Sequence, residues 1–244
     1  MYSVRQDAET DGHMLIEPEL AQLTLVLVGH FNPAIFQPGW LARHQLITDG
    51  AAETASIGII HPDITAFSIG DLFTLQVEQE RFSITRAIAP WVLISDLVVK
   101  IFGELLPHTP VSRLGINLNV HFDAGSEAKR NEIGERLAPS APWGDWGKLI
   151  SSGQGKTRGG LRSLTMAQNN VPDRPAGWLQ AKIEPSLRIR GGLTGIYMET
   201  NDHYEVVGAQ AEDARAIVSI LEDKFDTSIK NSEKIVDQIM SMVR

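Results

Sequence analysis

The sequence contains no cysteine among its 244 residues. This absence excludes disulfide bonds, thiolate metal ligands, iron–sulfur clusters and a cysteine nucleophile, and it is typical of a protein from a reducing compartment. The chain also lacks a long apolar run, because its longest stretches, around residues 23–28 and 91–102, fall short of the roughly 20 residues that span a bilayer. The first residues lack the basic and apolar regions of a signal peptide. We therefore predict a cytoplasmic protein with no membrane partner.

Positive charge is also scarce, with 22 Lys and Arg against 30 Asp and Glu, for a formal net charge of -8. Proteins that bind nucleic acid without sequence specificity usually present a basic face to the phosphates, so this balance argues against that function. Hydrophobic residues make up 43% of the chain and charged residues 21%, both close to globular averages. The composition therefore predicts a folded protein with a sizeable core.

The usual catalytic motifs are missing as well. There is no Gly-x-Ser-x-Gly elbow, no His-Glu-x-x-His and no Asp-x-Asp calcium loop. The seven histidines show no spacing typical of metal ligands. The sequence therefore predicts no metal and no cofactor, leaves any catalytic residue unassigned, and favours a protein that is not an enzyme.

One segment comes close to a phosphate-binding loop. Residues 153–157 read Gly-Gln-Gly-Lys-Thr, but the motif requires a further glycine where Ile150 stands. The segment is typical of a solvated glycine-rich loop. A weaker hypothesis remains, because four cationic side chains lie close together in an otherwise acidic chain, where they could contact an anion or an acidic partner. These residues are Lys148, Lys156, Arg158 and Arg162.

A polar row, Asn117, Asn119 and His121, occupies alternate positions of a predicted strand whose other face is apolar. If helices cover this row, it is a buried hydrogen-bond network or the floor of a small-ligand site. If water covers it, it is an ordinary outer face of the sheet, which is the interpretation we favour.

Hydrophobic periodicity and turn residues predict an α+β fold, in which a mixed, mostly antiparallel sheet is packed by two main helices. Residues 1–14 are predicted to be a mobile arm and 15–244 a single domain, with possible halves at 15–137 and 138–244. Residues 138–160 are predicted to be a loop. The predicted helices are 91–106, 126–137 and 211–243, with a possible break at Asp226-Thr227. The predicted strands are 20–31, with both faces covered, then 54–60, 73–77, 82–85, 111–122, 161–168, 178–184, 194–200 and 204–207.

The pattern of strand, polar turn, strand and helix occurs twice in this assignment. The first instance is the hairpin 73–85 with the helix from Trp91, and the second is the hairpin 194–207 with the helix from Ala211. Two interpretations remain open: an internal duplication that places two pseudo-equivalent hairpin-plus-helix halves side by side, or convergence on a common pattern.

The C-terminal helix carries a long apolar stripe. Its simplest role is to pack on the sheet of its own domain. A helix that extends beyond the sheet would instead expose its end to a partner. Together with tryptophans expected on the surface, this predicts a candidate interaction surface made of Ile235, Ile239, Met240, Val243, Trp143 and Trp146.

Several segments resemble a group of bacterial proteins to which no activity is assigned. These are Leu-Leu-Pro-His-Thr-Pro-Val at 105–111 with Gly-Ile-Asn at 115–117, Leu-Arg-Ser-Leu-Thr-Met at 161–166, and Asn-Asp-His-Tyr at 201–204. The resemblance implies a bacterial or phage-borne cytosolic α+β protein, such as an accessory subunit, and assigns no functional residue.

Two functions are therefore predicted. The first is a non-enzymatic interaction or assembly subunit of a bacterial or phage-related cytosolic complex, with a protein partner or with itself as an oligomer. The alternative is a protein that binds a small anionic ligand or nucleotide through residues 148–162, either as a binding protein or as an enzyme built on that site.

Overall fold

The computed structural model describes residues 14–153, 158–169 and 174–243, so that all of the predicted arm except Met14 lies outside the described residues. The strands are β1 (Leu20–Gly29), β2 (Ser56–His61), β3 (Ile64–Ile69), β4 (Phe73–Glu78), β5 (Arg81–Arg86), β6 (Val111–Asp123), β7 (Leu164–Gln168), β8 (Gly177–Pro185) and β9 (Gly195–Glu205). The α-helices are α1 (Pro38–Arg43), α2 (Asp49–Glu53), α3 (Val92–Val99), α4 (Glu127–Leu137), α5 (Gly144–Ser151) and α6 (Arg215–Met240).

The nine strands form one sheet in the order β2-β3-β4-β5-β1-β6-β9-β8-β7, and each neighbouring pair is antiparallel. Helix α6 packs on β6 and β9, while α3 contacts α6 and β5. The predicted α+β fold, with an antiparallel sheet packed by two main helices, is confirmed. Within the described residues, none of the helices combines the length and the apolar character needed to cross a membrane.

The core lies between the sheet and these helices. At its centre, Phe82 and Phe102 meet edge to face with ring centroids 5.0 Å apart, and Phe36 packs edge to face on Phe82 at 5.5 Å. All three side chains are fully buried. Such aromatic pairs stabilise a core beyond the burial of their area alone.

Most predicted elements of the first half are present. The hairpin at 73–85 becomes β4 and β5, and the strand at 111–122 becomes β6. Helix α4 begins after Ser126, whose hydroxyl accepts a hydrogen bond from the Lys129 amide at 3.2 Å, as the capping pattern predicted. The predicted helix 91–106 comprises α3 followed by a π-helical segment, Lys100–Leu105.

Three assignments of secondary structure are wrong, and the possible break at Asp226-Thr227 is absent. Residues 64–69 form β3, which the sequence analysis missed. The predicted loop at 138–160 contains α5, where Gly147 permits a close approach because a Cβ there would lie 2.1 Å from the Ser140 carbonyl oxygen. Helix α6 continues without a break through Asp226. The predicted hairpin at 194–207 is the single strand β9. Its polar residues pair through the backbone with β6 and β8 instead of forming a turn.

The sheet has one covered and one open face, which corrects the prediction that β1 is covered on both sides. Leu23, Leu25 and Leu27 are buried under the helices, whereas Thr24 and Val26 are only partly buried. Polar side chains follow the same alternation on the neighbouring strands, so a polar open face runs across the centre of the sheet.

The strand order is symmetric about the central pair β1 and β6. In the first half, the meander β3-β4-β5 returns to pair with β1 and continues into α3. In the second half, the meander β7-β8-β9 returns to pair with β6 and continues into α6. The topology therefore contains two pseudo-equivalent units, each with a hairpin followed by a helix. The second hairpin is β8 and β9, not the predicted pair, and the midpoint lies between Leu105 and Val111.

Candidate functional site

The predicted polar row lies on the open face of β6. Asn117, Asn119 and His121 are each partly exposed. The Asn117 side-chain amide donates to the Thr24 carbonyl oxygen at 3.3 Å. His121 Nδ1 lies 2.7 Å from the Ser186 hydroxyl oxygen. The row is therefore half-buried, and its side chains are hydrogen-bonded to neighbouring residues. It is intermediate between the buried network and the ordinary outer face that the sequence left open.

Tyr197 on β9 completes this cluster and was not singled out from the sequence. Its hydroxyl lies 3.1 Å from Asn119 Oδ1 and 2.9 Å from Glu199 Oε2, and its ring lies 4.8 Å from that of His121. Burial, followed by the hydrogen bond to Glu199, raises the pKa of Tyr197 well above its usual value. Burial and the nearby Arg188 lower the pKa of His121. At neutral pH the cluster thus holds a protonated phenol beside a neutral imidazole.

The basic loop does not act as one group. Lys148 lies on α5, is mostly exposed, and pairs with Asp145 at 2.7 Å. Lys156 lies outside the described residues. Arg158 folds back on α5 and donates to the Ser151 carbonyl oxygen at 2.9 Å. Of the three described members, Arg158 and Arg162 come together, as part of the lining of one small cavity.

A third arginine, Arg130 on α4, joins Arg158 and Arg162 at this cavity, which has a volume of about 70 Å³. Burial lowers the pKa of Arg130, and the positive charges of Arg158 and Arg162 lower it further. Arg130 also donates to the Gly192 carbonyl oxygen at 3.1 Å. We call Arg130, Arg158 and Arg162 the arginine cluster. Three guanidinium groups around a space of a few water volumes can hold a compact oxyanion.

Two carboxylates share the lining of the cavity, and both have other partners. Glu135 accepts hydrogen bonds from the amide and the hydroxyl of Ser140, at 2.7 and 2.9 Å. Glu184 pairs with Lys182 at 2.9 Å. The charge of Glu184 is compensated by Lys182, whereas the partners of Glu135 are neutral, so Glu135 offsets one of the three positive charges of the cluster.

The residues of the predicted interaction surface are placed differently from one another. Trp143 and Trp146 are 60% and 58% exposed, and their rings meet edge to face with centroids 5.3 Å apart. Ile235 and Ile239 are partly buried. Met240 is buried in the core, so its side chain is not open to a partner. The side chain of Val243 lies outside the described residues. The stripe of α6 therefore packs mainly on its own sheet.

A further exposed surface is the edge strand β2, which the sequence analysis treated as an ordinary strand. Each of its six residues is exposed. Three of them are isoleucines, with exposed fractions of 48% for Ile57, 43% for Ile59 and 44% for Ile60. A run of exposed isoleucine was not foreseeable from the sequence, because its alternation does not reveal which strand ends a sheet.

Among the described residues, no three His, Asp or Glu side chains cluster closely enough to hold a metal ion. Comparison of the chain with models of known protein families yields no match, and comparison with curated protein sequences yields none either. The resemblance to a bacterial group therefore stays a prediction, and function must be argued from the surfaces of the molecule.

Proposed function

We propose that the protein is an assembly subunit that associates with a second copy of itself through β2. The observation that supports this is that all six residues of β2 are exposed, including its three isoleucines. An edge strand leaves the outward N–H and C=O groups of its backbone free to pair with another strand. Soluble proteins usually protect such edges with charged side chains or proline.

Strand β2 carries no Lys, Arg, Asp, Glu or Pro in its sequence Ser-Ile-Gly-Ile-Ile-His. Its register with β3 shifts between Ile57 and Ile59, which inserts Gly58 as an extra residue. Such a bulge bends an edge but places no charge on it. The edge is therefore open both to backbone pairing and to apolar contact.

The bulge also places two isoleucines on the same face. Ile57 lies opposite Phe67 and Ile60 lies opposite Thr65, and both β3 residues are buried on the covered side of the sheet. A two-fold axis through the middle of β2 would put Ile57 of one copy beside Ile60 of the other, twice. Such a self-complementary contact is the usual form of a symmetric dimer.

Charge opposes the pairing of two copies less at this position than the net charge suggests. Each chain carries a net charge of -8, which opposes the approach of a second copy in general. The β2 strands would meet without any carboxylate within either strand. Pairing would continue the sheet of one copy into that of the other and cover the exposed isoleucines.

The test is the variant Ile60→Lys, with Thr165→Lys on the opposite edge strand β7 as its control. Both side chains are exposed, so we expect each substitution to change the free energy of unfolding by only about 0.5 kcal/mol. Light scattering coupled to size-exclusion chromatography should show a dimer for the wild type and the control, and a monomer for Ile60→Lys. A monomeric wild type, or a dimer that Ile60→Lys leaves intact, would overturn the proposal.

A second candidate function is binding of a small oxyanion at the arginine cluster, since Arg158 and Arg162 are joined there by Arg130. A ligand that binds only the folded state raises the melting temperature. We expect phosphate or pyrophosphate to raise it for the wild type and for the control Arg136→Gln, which replaces an exposed arginine on the same helix as Arg130. The shift should disappear in Arg162→Gln. An equal shift in all three proteins would show that the anions act nonspecifically.

A further inference from the structure

An open cleft of about 640 Å³ lies at one end of the first unit, between the α1–α2 segment, helix α3 and the ends of β4 and β5. Its walls are largely aliphatic and include Leu46, Ile47, Leu72, Leu93 and Leu97. Pockets of this size and character are typical of small-molecule sites, where a few polar groups orient the ligand.

The charged group set deepest in this cleft is Arg86, the last residue of β5, which is only 7% exposed. Its Nη1 donates to the carbonyl oxygens of Asp71 and Leu72, at 3.1 and 2.6 Å. Its Nε is buried and has no hydrogen-bond partner. Within the part of the chain that the structure describes, no carboxylate forms an ion pair with Arg86.

An arginine in this setting is unusual. Buried charges in proteins are normally paired, because an isolated charge loses its hydration without compensation. The two carbonyl contacts explain how Arg86 holds the turn between β3 and β4, but they supply no negative charge. An arginine presents five N–H donors in a planar fork that matches a carboxylate, so a guanidinium charge without a counter-charge predicts an anionic partner.

The mouth of the cleft limits what that partner can be. Leu72 and Leu93 line it and are 42% and 46% exposed, so a bound molecule would cover apolar surface there. Asp49 is the one acidic residue of the lining. Its carboxylate disfavours a ligand with several negative charges. The lining of the cleft therefore favours a ligand with one anionic head group and an apolar body.

We propose that this cleft binds a small amphiphilic monocarboxylate, such as a medium-chain fatty acid, with its carboxylate on Arg86 and its chain against Leu72 and Leu93. The carboxylate would pair with the charge of the Arg86 guanidinium, which forms no ion pair within the described residues, and the chain would cover the leucines of the mouth. The inference is independent of assembly through β2.

The probe is decanoate, used below its micellar concentration and compared with decanol in isothermal titration calorimetry. We expect saturable binding of one decanoate per chain. Decanol should bind at least about tenfold more weakly, because it lacks the charge-assisted hydrogen bonds to the guanidinium. Equal affinities for the two ligands, or no saturable binding of decanoate, would overturn the proposal.

Two variants of α3 locate the site without disturbing Arg86. Leu93→Glu adds a carboxylate to the wall of the cleft, and Val92→Glu adds one to the neighbouring residue, which does not line it. Both side chains are exposed, so both variants should fold, which circular dichroism checks. Decanoate binding should be lost in Leu93→Glu and retained in Val92→Glu. Equal affinity in the two variants would place the ligand elsewhere and refute the assignment.

Arg86→Gln provides the direct test of the head-group contact. In this variant the preference for decanoate over decanol should disappear. A preference retained by a folded Arg86→Gln protein would refute the role of Arg86. If the variant does not fold, the comparison of Leu93→Glu with Val92→Glu still decides the question.

Discussion

A buried ion pair joins β9 to the chain segment before β8 and offers the sharpest test of the structure. The Asp202 carboxylate pairs with the Arg174 guanidinium, and the two side chains are 2% and 8% exposed. Asp202 Oδ2 also accepts hydrogen bonds from the Ser228 hydroxyl of α6 at 2.6 Å and from the Tyr204 hydroxyl at 3.0 Å. One carboxylate thus connects the sheet, the main helix and a connecting segment.

Removal of Asp202 should therefore be costly. Breaking a buried ion pair by removing one partner costs about 3–5 kcal/mol, because the remaining charge stays buried without compensation. In Asp202→Leu, the hydroxyls of Tyr204 and Ser228 also lose an acceptor, which adds to the cost. We expect a loss of about 4 kcal/mol, which is a large part of the roughly 5–15 kcal/mol that stabilises a typical domain.

The same reasoning predicts strong coupling within the pair. Arg174→Met leaves the carboxylate unpaired and should cost a similar amount, whereas the double variant leaves no uncompensated charge. The double variant should therefore be more stable than the sum of the two single losses predicts, by about 1–3 kcal/mol. Urea denaturation followed by circular dichroism would measure the free energy of unfolding of each variant.

The matched control lies on the same strand. Glu205 of β9 pairs with Arg113 at 3.2 Å, but both side chains are about half exposed, so Glu205→Leu should cost no more than about 1 kcal/mol. If Asp202→Leu is no more destabilising than Glu205→Leu, or if the effects of Asp202→Leu and Arg174→Met simply add, the argument from burial is refuted.

Two further predictions concern stability. Burial is the main cause that lowers the pKa of both His121 and His203 below the usual 6.5. As the pH drops through 6.5, the unfolded chain therefore takes up protons before the folded protein does, and the free energy of unfolding falls. The His121→Gln, His203→Gln double variant should lose less stability than the wild type between pH 7.5 and 5.5 in urea titrations, and an equal loss would contradict this. Ser126→Ala removes the cap of α4 and should lower the free energy of unfolding by about 1 kcal/mol, measured against Ser163→Ala, which replaces an exposed serine outside the helices; equal costs would refute the capping role.

Local patterns predicted the elements whose partners lie nearby in the chain. Ser126 marked the start of α4, because a cap is a contact between neighbours. The β4–β5 hairpin showed alternating apolar residues on either side of a polar tip. By contrast, residues 201–203 have the composition of a turn, yet they continue strand β9. Asp202 forms an ion pair with Arg174, and Asn201 pairs with residues of β6 and β8 on either side. Contacts with residues distant in the chain override the turn propensity of this segment, and the local sequence does not predict those contacts.

The candidate sites were less predictable, for the same reason. The sequence singled out Arg158 and Arg162 because they are close in the chain, but Arg130 joins them only through the packing of α4. Nothing in the sequence around Arg86 predicted that it would be buried in a cleft, since an arginine at the end of a strand is normally solvated. Its burial follows from the position of the α1–α2 segment and α3, which form the walls of the cleft around it.

The symmetry of the sheet shows that the two units differ in strand β2, and this difference coincides with the proposed assembly surface. Removal of β2 would leave four strands on each side of the β1–β6 junction, so β2 has no counterpart in the second unit. The connection between β6 and β7 contains α4 and α5, just as the connection between β1 and β2 contains α1 and α2, and it carries Arg130 and the exposed pair Trp143 and Trp146. None of the residues of β2 belongs to the buried core, whereas Ile133 of α4 does. The exposed strand β2 and the arginine cluster remain open to a partner or ligand, and this favours function there over the central polar row, whose side chains already bond to Thr24, Tyr197 and Ser186.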